Sequence, residues 1–400
     1  MKMMSNSQSD LLQSNYTIFI ILIPYFSKYK SGIPGLQLAD LLLLVFWAIV
    51  VITKKSIVIN RKILFWPLLV FMLITIFNLL FIPDIVIVFD VLTRSLRFSL
   101  YVLTVIFLSP TLFSIKKAEK LIVYFGYVFT AYIFMQYALY FLTGIVLKGS
   151  FGLLELYTNE YNNIDYSGLY LISFFRPTSL FLEPAHYARY MLLSLSIVLF
   201  GTNKNFSPIT SVIFTIGILA STSNIGFVLV LFIWIYYLIR KPLLLRKSNF
   251  NSSIIWMFLT FLLLIPIMYL LLIKTGAFRN LISRLTNFSS SSAYAARLSS
   301  YLSFFQEEPF RLFFGYGLGY YSGSWQSGMV IVLYGTGLLG MLVLLSNLFL
   351  LYCSNHSEKQ RIILLLFIGL LFVDDAFLSV VTILYLSFLA PSPRLFRIKI

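Results

Sequence analysis

Apolar segments about as long as a bilayer is thick recur along the whole chain, and no other feature limits its fold as strongly. A helix of about 20 apolar residues crosses the hydrocarbon core, because its backbone polar groups bond within the helix. The chain is 60% hydrophobic and only 11% charged, and its mean hydropathy is +0.91, which excludes a water-soluble domain. The apolar runs lie at 16–27, 38–53, 63–82, 91–109, 121–147, 186–201, 208–221, 224–239, 254–273, 327–352 and 361–390.

The last apolar run contains two aspartates, Asp374 and Asp375, near its middle. Two such charges would cost roughly 5–7 kcal/mol at the centre of a membrane helix, so we divide this run into two short spans. The sequence therefore predicts an all-α polytopic membrane protein with about 12 transmembrane helices. We expect these helices to form a single integral membrane domain over residues 1–400.

The basic residues predict how the chain is oriented. If the amino terminus is cytoplasmic, every inner loop carries lysine or arginine, as the positive-inside rule requires. Both termini are then cytoplasmic, and two long loops, at about 148–185 and 274–326, face outward. The net charge of +16 reflects this topology and attraction to anionic membrane lipids, so it does not indicate a nucleic-acid partner.

The two basic residue types are distributed unequally across the membrane. Twelve lysines and six arginines fall on the cytoplasmic side, against four lysines and eight arginines on the outer side. Lysine is enough to set topology, whereas the planar guanidinium of arginine binds phosphate oxygens through two hydrogen bonds. The distribution indicates an outer diphosphate ligand. The lone Cys353 excludes an intramolecular disulfide and a cysteine-based metal site.

Two arginines, a glutamate and a histidine lie within fifteen residues at the end of the first outer loop, in the sequence RPTSLFLEPAHYARY. Proline is favoured at the first helical position, so a helix is predicted to start at Pro184 with Glu183 near its cap. His186 and Arg189 follow at three-residue steps along one side of this helix. Free N–H groups at the helix start favour an anion. A base, an imidazole and a guanidinium are therefore predicted to converge on one phosphorylated ligand.

Simpler roles remain open for the same side chains. Glu183 can act only as a helix cap, His186 can form only a local hydrogen bond, and Arg189 can extend to the membrane surface. Ionisable groups at a bilayer boundary cost free energy unless they are paired or hydrated. Because Arg176 adds a further charge to the segment, we favour a site.

The second outer loop carries two further candidate arginines. The sequence predicts a helix over Ala293–Phe305 with Arg297 on it, and Glu307, Glu308 and Pro309 end this helix before Arg311. Glycines at 315, 317 and 319 follow, and they either let backbone N–H groups approach a ligand or form a flexible turn.

Arg97 lies with Arg94 at the outer end of the fourth predicted span, one helical turn apart. This pair either gathers a diphosphate or forms ion pairs with Asp84 and Asp90, which are close in sequence.

At these residues the chain resembles the O-antigen and capsular polysaccharide polymerase family (Wzy) and its O-antigen ligase relatives. The resemblance rests on the many spans, the two enlarged outer loops, and two motifs. In the first, Arg176 precedes Phe181-Leu182-Glu183-Pro184, and in the second, Arg297 precedes the glycine run. Ligase relatives often have a histidine after that run, whereas this chain has Ser327 and Gly328 there. This departure counts against a ligase.

The resemblance implies a metal-independent glycosyltransferase without a cofactor. It would polymerise oligosaccharide repeat units on undecaprenyl diphosphate at the outer face of the bacterial cytoplasmic membrane. The implied partners are these lipid-linked oligosaccharides, membrane lipids, a flippase and chain-length regulator proteins. Arginines would bind the leaving diphosphate, first Arg176, Arg189 and Arg297, and then Arg97 and Arg311. Glu183 is the preferred catalytic base, and His186 is the alternative.

The opposing hypothesis is a flippase or another transporter of lipid-linked oligosaccharides. A transporter is expected to hold ionisable groups near the membrane midplane on several spans. Here, apart from Asp40 and the pair Asp374 and Asp375, the ionisable groups lie at span ends and in loops. Their placement favours the enzyme.

Overall fold

The computed structural model describes residues 6–33, 36–53, 56–60, 63–81, 85–150, 154–157, 175–201, 208–245, 292–320, 326–355, 357–390 and 396–399. Most of these residues are α-helical, which confirms the helical fold and its membrane character. Within them, three helical stretches are long and apolar enough to cross a membrane, at Ile87–Leu112, Ile115–Thr143 and Gly328–Ser354. Shorter apolar helices cover Leu38–Thr53, Phe65–Leu79, Pro208–Ala220 and Asn224–Arg240. The full number of spans and the outward orientation of the long loops stay predictions.

The helices follow the predicted apolar runs, and the run at 254–273 lies outside the described residues. In chain order they are α1 (Asn6–Phe26), α2 (Leu38–Thr53), α3 (Phe65–Leu79), α4 (Ile85–Leu103), a π turn (Thr104–Leu108), α5 (Ser109–Leu112), α6 (Ile115–Thr143), α7 (Pro184–Phe200), α8 (Pro208–Ala220), α9 (Asn224–Leu245), α10 (Ser292–Phe304), α11 (Pro309–Phe314), α12 (Gly328–Ser354), α13 (Glu358–Val373), a 3₁₀ turn (Ala376–Leu378) and α14 (Val381–Ser387). Two short strands, β1 (Ser56–Ile59) and β2 (Phe396–Lys399), complete the described elements.

The last apolar run is broken where the sequence predicts. Helix α13 ends at Val373, and Asp374 adopts an extended backbone. The 3₁₀ turn follows, and α14 begins only at Val381. Because α13 ends before Asp374 and the backbone there is extended, the two carboxylates do not lie in the middle of a continuous helix.

The chain divides into two compact units, which are described separately. The first comprises Met1–Ala118 and Ser289–Ile400, and the second comprises Glu119–Phe288. The boundary falls near the start of α6. The single membrane domain expected from the sequence stays a prediction.

In the first unit, α12 packs against α3, α11 and α13, while α1 packs against α2, α5 and α14. Buried hydroxyl groups join α1, α5 and α14, because the Ser109 Oγ atom lies 2.9 Å from both the Tyr16 hydroxyl and the Ser387 Oγ atom. Such bonds satisfy polar groups that hydrocarbon cannot solvate.

Strands β1 and β2 pair antiparallel, with Ser56 opposite Lys399 and Ile59 opposite Phe396. The sequence alone did not reveal this pairing. Paired strands must lie on the same side of a membrane, so the loop before α3 and the carboxyl-terminal tail share one side. The predicted topology puts both in the cytoplasm.

In the second unit, α7 lies at the centre and packs against α8 and α9. Every residue from Tyr187 to Ile197 is buried, as expected of a helix enclosed by others. The Tyr187 hydroxyl reaches Thr130 Oγ1 of α6 at 3.0 Å. This contact requires Gly217 on α8, because a Cβ atom there would lie 2.5 Å from the Tyr187 hydroxyl oxygen.

Candidate functional site

The predicted helix start in the second unit is confirmed. Helix α7 begins at Pro184, and Glu183 is its N-cap residue with an extended backbone. The Glu183 carbonyl oxygen accepts hydrogen bonds from the backbone N–H groups of His186 and Tyr187, at 3.1 and 3.3 Å. The Glu183 carboxylate makes no capping bond to the described N–H groups of α7. This geometry argues against the simpler role of Glu183 as a cap alone.

Arg189 lies two turns into the same helix and is only 4% exposed. Its side chain is therefore enclosed within the unit and does not extend to the surface, which was the simpler alternative. A guanidinium in an apolar interior is expensive to desolvate, and such groups mark functional sites in membrane proteins. His186, one turn earlier, is half-buried.

The segment that leads into α7 is attached to α6 by a buried amide, Gln136. The Gln136 Oε1 atom accepts from the Ser179 N–H at 2.8 Å, and its Nε2 atom donates to the Leu147 carbonyl at 2.8 Å. Ser179 has a left-handed backbone, and its hydroxyl donates to the Phe129 carbonyl at 2.7 Å. One side chain thus joins both ends of the first outer loop. Sequence analysis missed Gln136, although an amide within the apolar run 121–147 was a visible signal.

We expect Gln136→Leu to loosen the base of this loop. The change leaves the buried Ser179 N–H group and the half-buried Leu147 carbonyl without this partner, and an unsatisfied buried group costs about 1–3 kcal/mol. Hydrogen exchange at residues 175–182 should therefore become faster. The matched control is Tyr132→Phe, which removes a more exposed 2.8 Å bond to the Lys148 carbonyl. Equal exchange in both variants would show that Gln136 does not hold the loop.

Arg176 lies at the start of this segment, next to the α8–α9 turn. Its Nε atom donates to the Thr222 hydroxyl at 3.3 Å, and Thr222 has a left-handed backbone. Glu183, His186 and Arg189 lie at the start of α7, Arg176 lies in the segment before it, and all four belong to the second unit. A guanidinium, a carboxylate and an imidazole are the groups needed to bind an anion and to move a proton.

The remaining candidates belong to the first unit. Arg297 lies in α10, which confirms the predicted helix, and its side chain is outside the described part of the structure. Arg311 lies in α11, where its Nη1 atom donates to Asn78 Oδ1 at 2.8 Å and to the Gly315 carbonyl at 3.2 Å. Its guanidinium carbon is 4.6 Å from the centre of the Tyr316 ring. These contacts attach α11 to α3 and favour a structural role for Arg311.

Arg97 forms an ion pair with a buried carboxylate that the sequence did not identify as its partner. The Arg97 Nε atom lies 3.2 Å from Oδ2 of Asp40, which is fully buried on α2. The Tyr101 hydroxyl donates to Asp40 Oδ1 at 2.7 Å, and the Gln37 N–H donates to Oδ2 at 2.9 Å. The neighbouring Arg94 pairs with Asp90 at 3.7 Å, as one alternative predicted, whereas Asp84 is outside the described residues. The pairing favours a structural role for Arg97.

Three N–H groups in the glycine run at 315–319 are bonded to other parts of the first unit. The Tyr316 and Gly317 N–H groups donate to the carbonyls of Tyr334 and Gly335, at 2.7 and 2.8 Å. The Leu318 N–H donates to the Thr75 hydroxyl at 2.9 Å. These three N–H groups are therefore not available to a ligand. The Tyr320 N–H donates to the Gly317 carbonyl at 3.1 Å, so the run contains a turn, and its hydrogen bonds hold that turn in place.

A kink in α12 explains this arrangement. Gly337 has a left-handed backbone with φ 66°, which interrupts the helix. Carbonyl groups just before a kink lose their helical partners and need others, above all inside a membrane. The glycine run supplies those partners from a distant part of the chain.

The side-chain hydroxyl groups of Tyr316 and Tyr301, in the predicted second outer loop, stay protonated at neutral pH. Burial raises the pKa of Tyr316, and the hydrogen bond and negative charge of Glu307 raise it further. Burial also raises the pKa of Tyr301, whose hydroxyl lies 2.9 Å from Ser327 Oγ. Both hydroxyls can therefore keep these hydrogen bonds across the physiological range.

Comparison with known proteins assigns no family to the chain. No protein-family model matches it. No curated protein matches it either. Among the described residues, no group of three or more histidine, cysteine, aspartate or glutamate side chains is placed to hold a metal ion. The roles of the candidate residues therefore rest on the sequence and on the geometry of each unit.

Proposed function

We propose that the protein polymerises oligosaccharide repeat units carried on undecaprenyl diphosphate, at the outer face of the bacterial cytoplasmic membrane. The start of α7 is the observation that carries this proposal. There a carboxylate that does not cap the helix lies two turns before an enclosed guanidinium. This set of groups supports acid–base chemistry beside an anionic leaving group.

In the proposed reaction, a hydroxyl group of one repeat unit attacks the anomeric carbon of another. The new glycosidic bond forms as the bond from that carbon to the diphosphate oxygen breaks, and lipid diphosphate leaves with the bonding electrons. Glu183 accepts the proton of the attacking hydroxyl, and His186 is the alternative base. Arg176 and Arg189 stabilise the negative charge of the diphosphate. Arg297 is a further proposed diphosphate-binding residue, on the resemblance of its sequence motif alone.

A deletion strain tests the function itself. The glycans on its surface would be separated by size and compared with those of the parent strain. A polymerase defect leaves single repeat units transferred to the surface acceptor, which supports the proposal. Loss of all surface repeats would indicate a flippase, and polymer that stays on undecaprenyl diphosphate would indicate a ligase. Either of these results would overturn it.

We expect Arg176→Lys and Arg297→Lys to impair polymerisation although the charge is kept. A lysine cannot form the paired hydrogen bonds of a guanidinium with a diphosphate. Loss of one charged hydrogen bond costs roughly 1.5–3 kcal/mol, or about one to two powers of ten in rate if it acts in the transition state. Chain-length profiles would be measured together with the abundance of each variant in the membrane.

Arg361→Lys is the matched control for these two variants. Arg361 forms a local 3.1 Å ion pair with Glu358 at the start of α13, which the predicted topology puts on the cytoplasmic side. Its variant should make polymer of normal length. If the Arg176 and Arg297 variants also make normal polymer, these arginines serve topology alone.

One observation favours a flippase as the second candidate. The ion pair of Asp40 and Arg97 joins α2 to α4, and its carboxylate is fully buried. Transporters often use such buried ionisable pairs along a substrate path. Under this alternative, the deletion strain would lose surface repeats entirely, so the same glycan analysis separates the two functions.

A further inference from the structure

Helix α3 carries a continuous exposed apolar stripe. Its opposite face is buried and includes Phe71, Ile74 and Asn78. A soluble helix has the reverse pattern, because its exposed face is polar. Lipid hydrocarbon is the solvent that suits a stripe of this kind. The exposed side chains follow one another at steps of three and four residues: Trp66, Leu69, Leu73, Ile76 and Leu80.

This stripe continues onto α11, a short helix in the predicted second outer loop. The Phe77 ring at the end of α3 lies 6.1 Å from the Phe310 ring. Phe310 and Phe313 are 42% and 57% exposed. The hydrogen bond from Arg311 to Asn78 fixes α11 against α3, so these aromatic side chains form one surface with the end of α3.

Helix α10 shows the same pattern independently. Leu298 and Leu302 are exposed one turn apart, which places them on one side of the helix, and Phe305, directly after its last residue, is exposed as well. Its other side is packed in the unit, where Phe304 is fully buried against Tyr334 of α12. Large apolar side chains on one side of a short surface helix are typical of helices that lie in a membrane interface.

We propose that α10 and α11 lie in the outer leaflet of the membrane, with Leu302 and Phe313 in contact with lipid hydrocarbon. The second outer loop would then not project into water along these helices. Arg311, which holds α11 to Asn78 of α3, would then lie near the depth of the lipid headgroups. This position of the loop does not depend on whether the protein is a polymerase.

Site-directed spin labelling tests this position. Cys353 is the lone cysteine and is exposed, so a Cys353→Ser background allows one label at a time. Leu302→Cys and Phe313→Cys would be labelled in the full-length protein, in vesicles of phosphatidylethanolamine and phosphatidylglycerol. Both positions are exposed, so the changes leave the packed core intact. Leu73→Cys on α3 is the reference for lipid contact, and Glu308→Cys in the adjacent turn is the matched aqueous control.

Collisions of each label with oxygen, which concentrates in hydrocarbon, would be compared with collisions with a water-soluble nickel chelate. We expect labels at 302 and 313 to favour oxygen, as at 73, and the label at 308 to favour nickel. Nickel preference at 302 and 313 would place the loop in water and overturn the inference. Immobile labels that meet neither reagent would also overturn it, because protein would then cover the surface. These vesicles contain no polyprenyl carrier, so oxygen preference reports bilayer lipid.

Discussion

Glu183→Gln is expected to abolish polymer while the amount of folded protein in the membrane stays unchanged. Under the proposed mechanism, the carboxylate takes the proton of the attacking hydroxyl, and a general base typically contributes about 10²–10⁴-fold in rate. Glutamine keeps the size of the side chain but is not basic. The Glu183 carboxylate makes no capping bond to the described N–H groups of α7, so its loss should not weaken the helix start. Chain-length profiles and membrane abundance would be measured in the same cells.

Variants of His186 provide the comparison for Glu183→Gln. His186 lies in the first turn of α7, and only one of the two groups needs to accept the proton. We expect His186→Asn and His186→Gln to keep partial activity. Normal chain lengths from Glu183→Gln together with inactive His186 variants would assign the base to the histidine. If all three variants are active, the start of α7 is structural and the proposed catalytic role is wrong.

Gly337→Ala is expected to cause a large loss of folded protein. Gly337 has φ 66°, and a Cβ atom there would lie 2.2 Å from the carbonyl oxygen of Phe313. A left-handed backbone costs a residue with a Cβ roughly 1–2 kcal/mol, and forcing an atom into a packed site typically costs about 1–3 kcal/mol more. The neighbouring atom is backbone and cannot rotate away. Yield of monodisperse protein and thermal unfolding in detergent would measure the effect.

Gly32→Ala separates the cost of the left-handed backbone from the cost of the steric clash. Gly32 belongs to the same unit and has φ 83°, but no atom lies within 4 Å of a Cβ built there. It should lose only the backbone contribution of roughly 1–2 kcal/mol. If both variants lose stability equally, the close approach of α11 to the kink in α12 is unimportant. A larger loss at Gly337 would support the packing of these two helices around the kink.

Helix positions and helix ends could be predicted from the sequence, because they depend on residues that are close along the chain. Apolar runs predicted most of the described helices, since a helix in hydrocarbon satisfies its own backbone. Pro184 and Glu183 marked the start of α7, because proline fits the first helical position. Asp374 and Asp375 marked the break after α13, because paired charges are expensive inside a membrane helix. In each case the physical cause lies within one or two helical turns of its effect.

The pairing of buried polar groups could not be predicted from the sequence, because it depends on how the helices pack. Arg311 bonds to Asn78, which is 233 positions away in the sequence, and Arg97 pairs with Asp40 on another helix. The glycine run at 315–319 looked like a loop, yet it satisfies the carbonyl groups before the Gly337 kink. A buried polar group must find a partner, but the partner can come from any element that packing brings within about 3 Å. Composition and spacing therefore predicted that such groups need partners, and only the packing of the helices selected them.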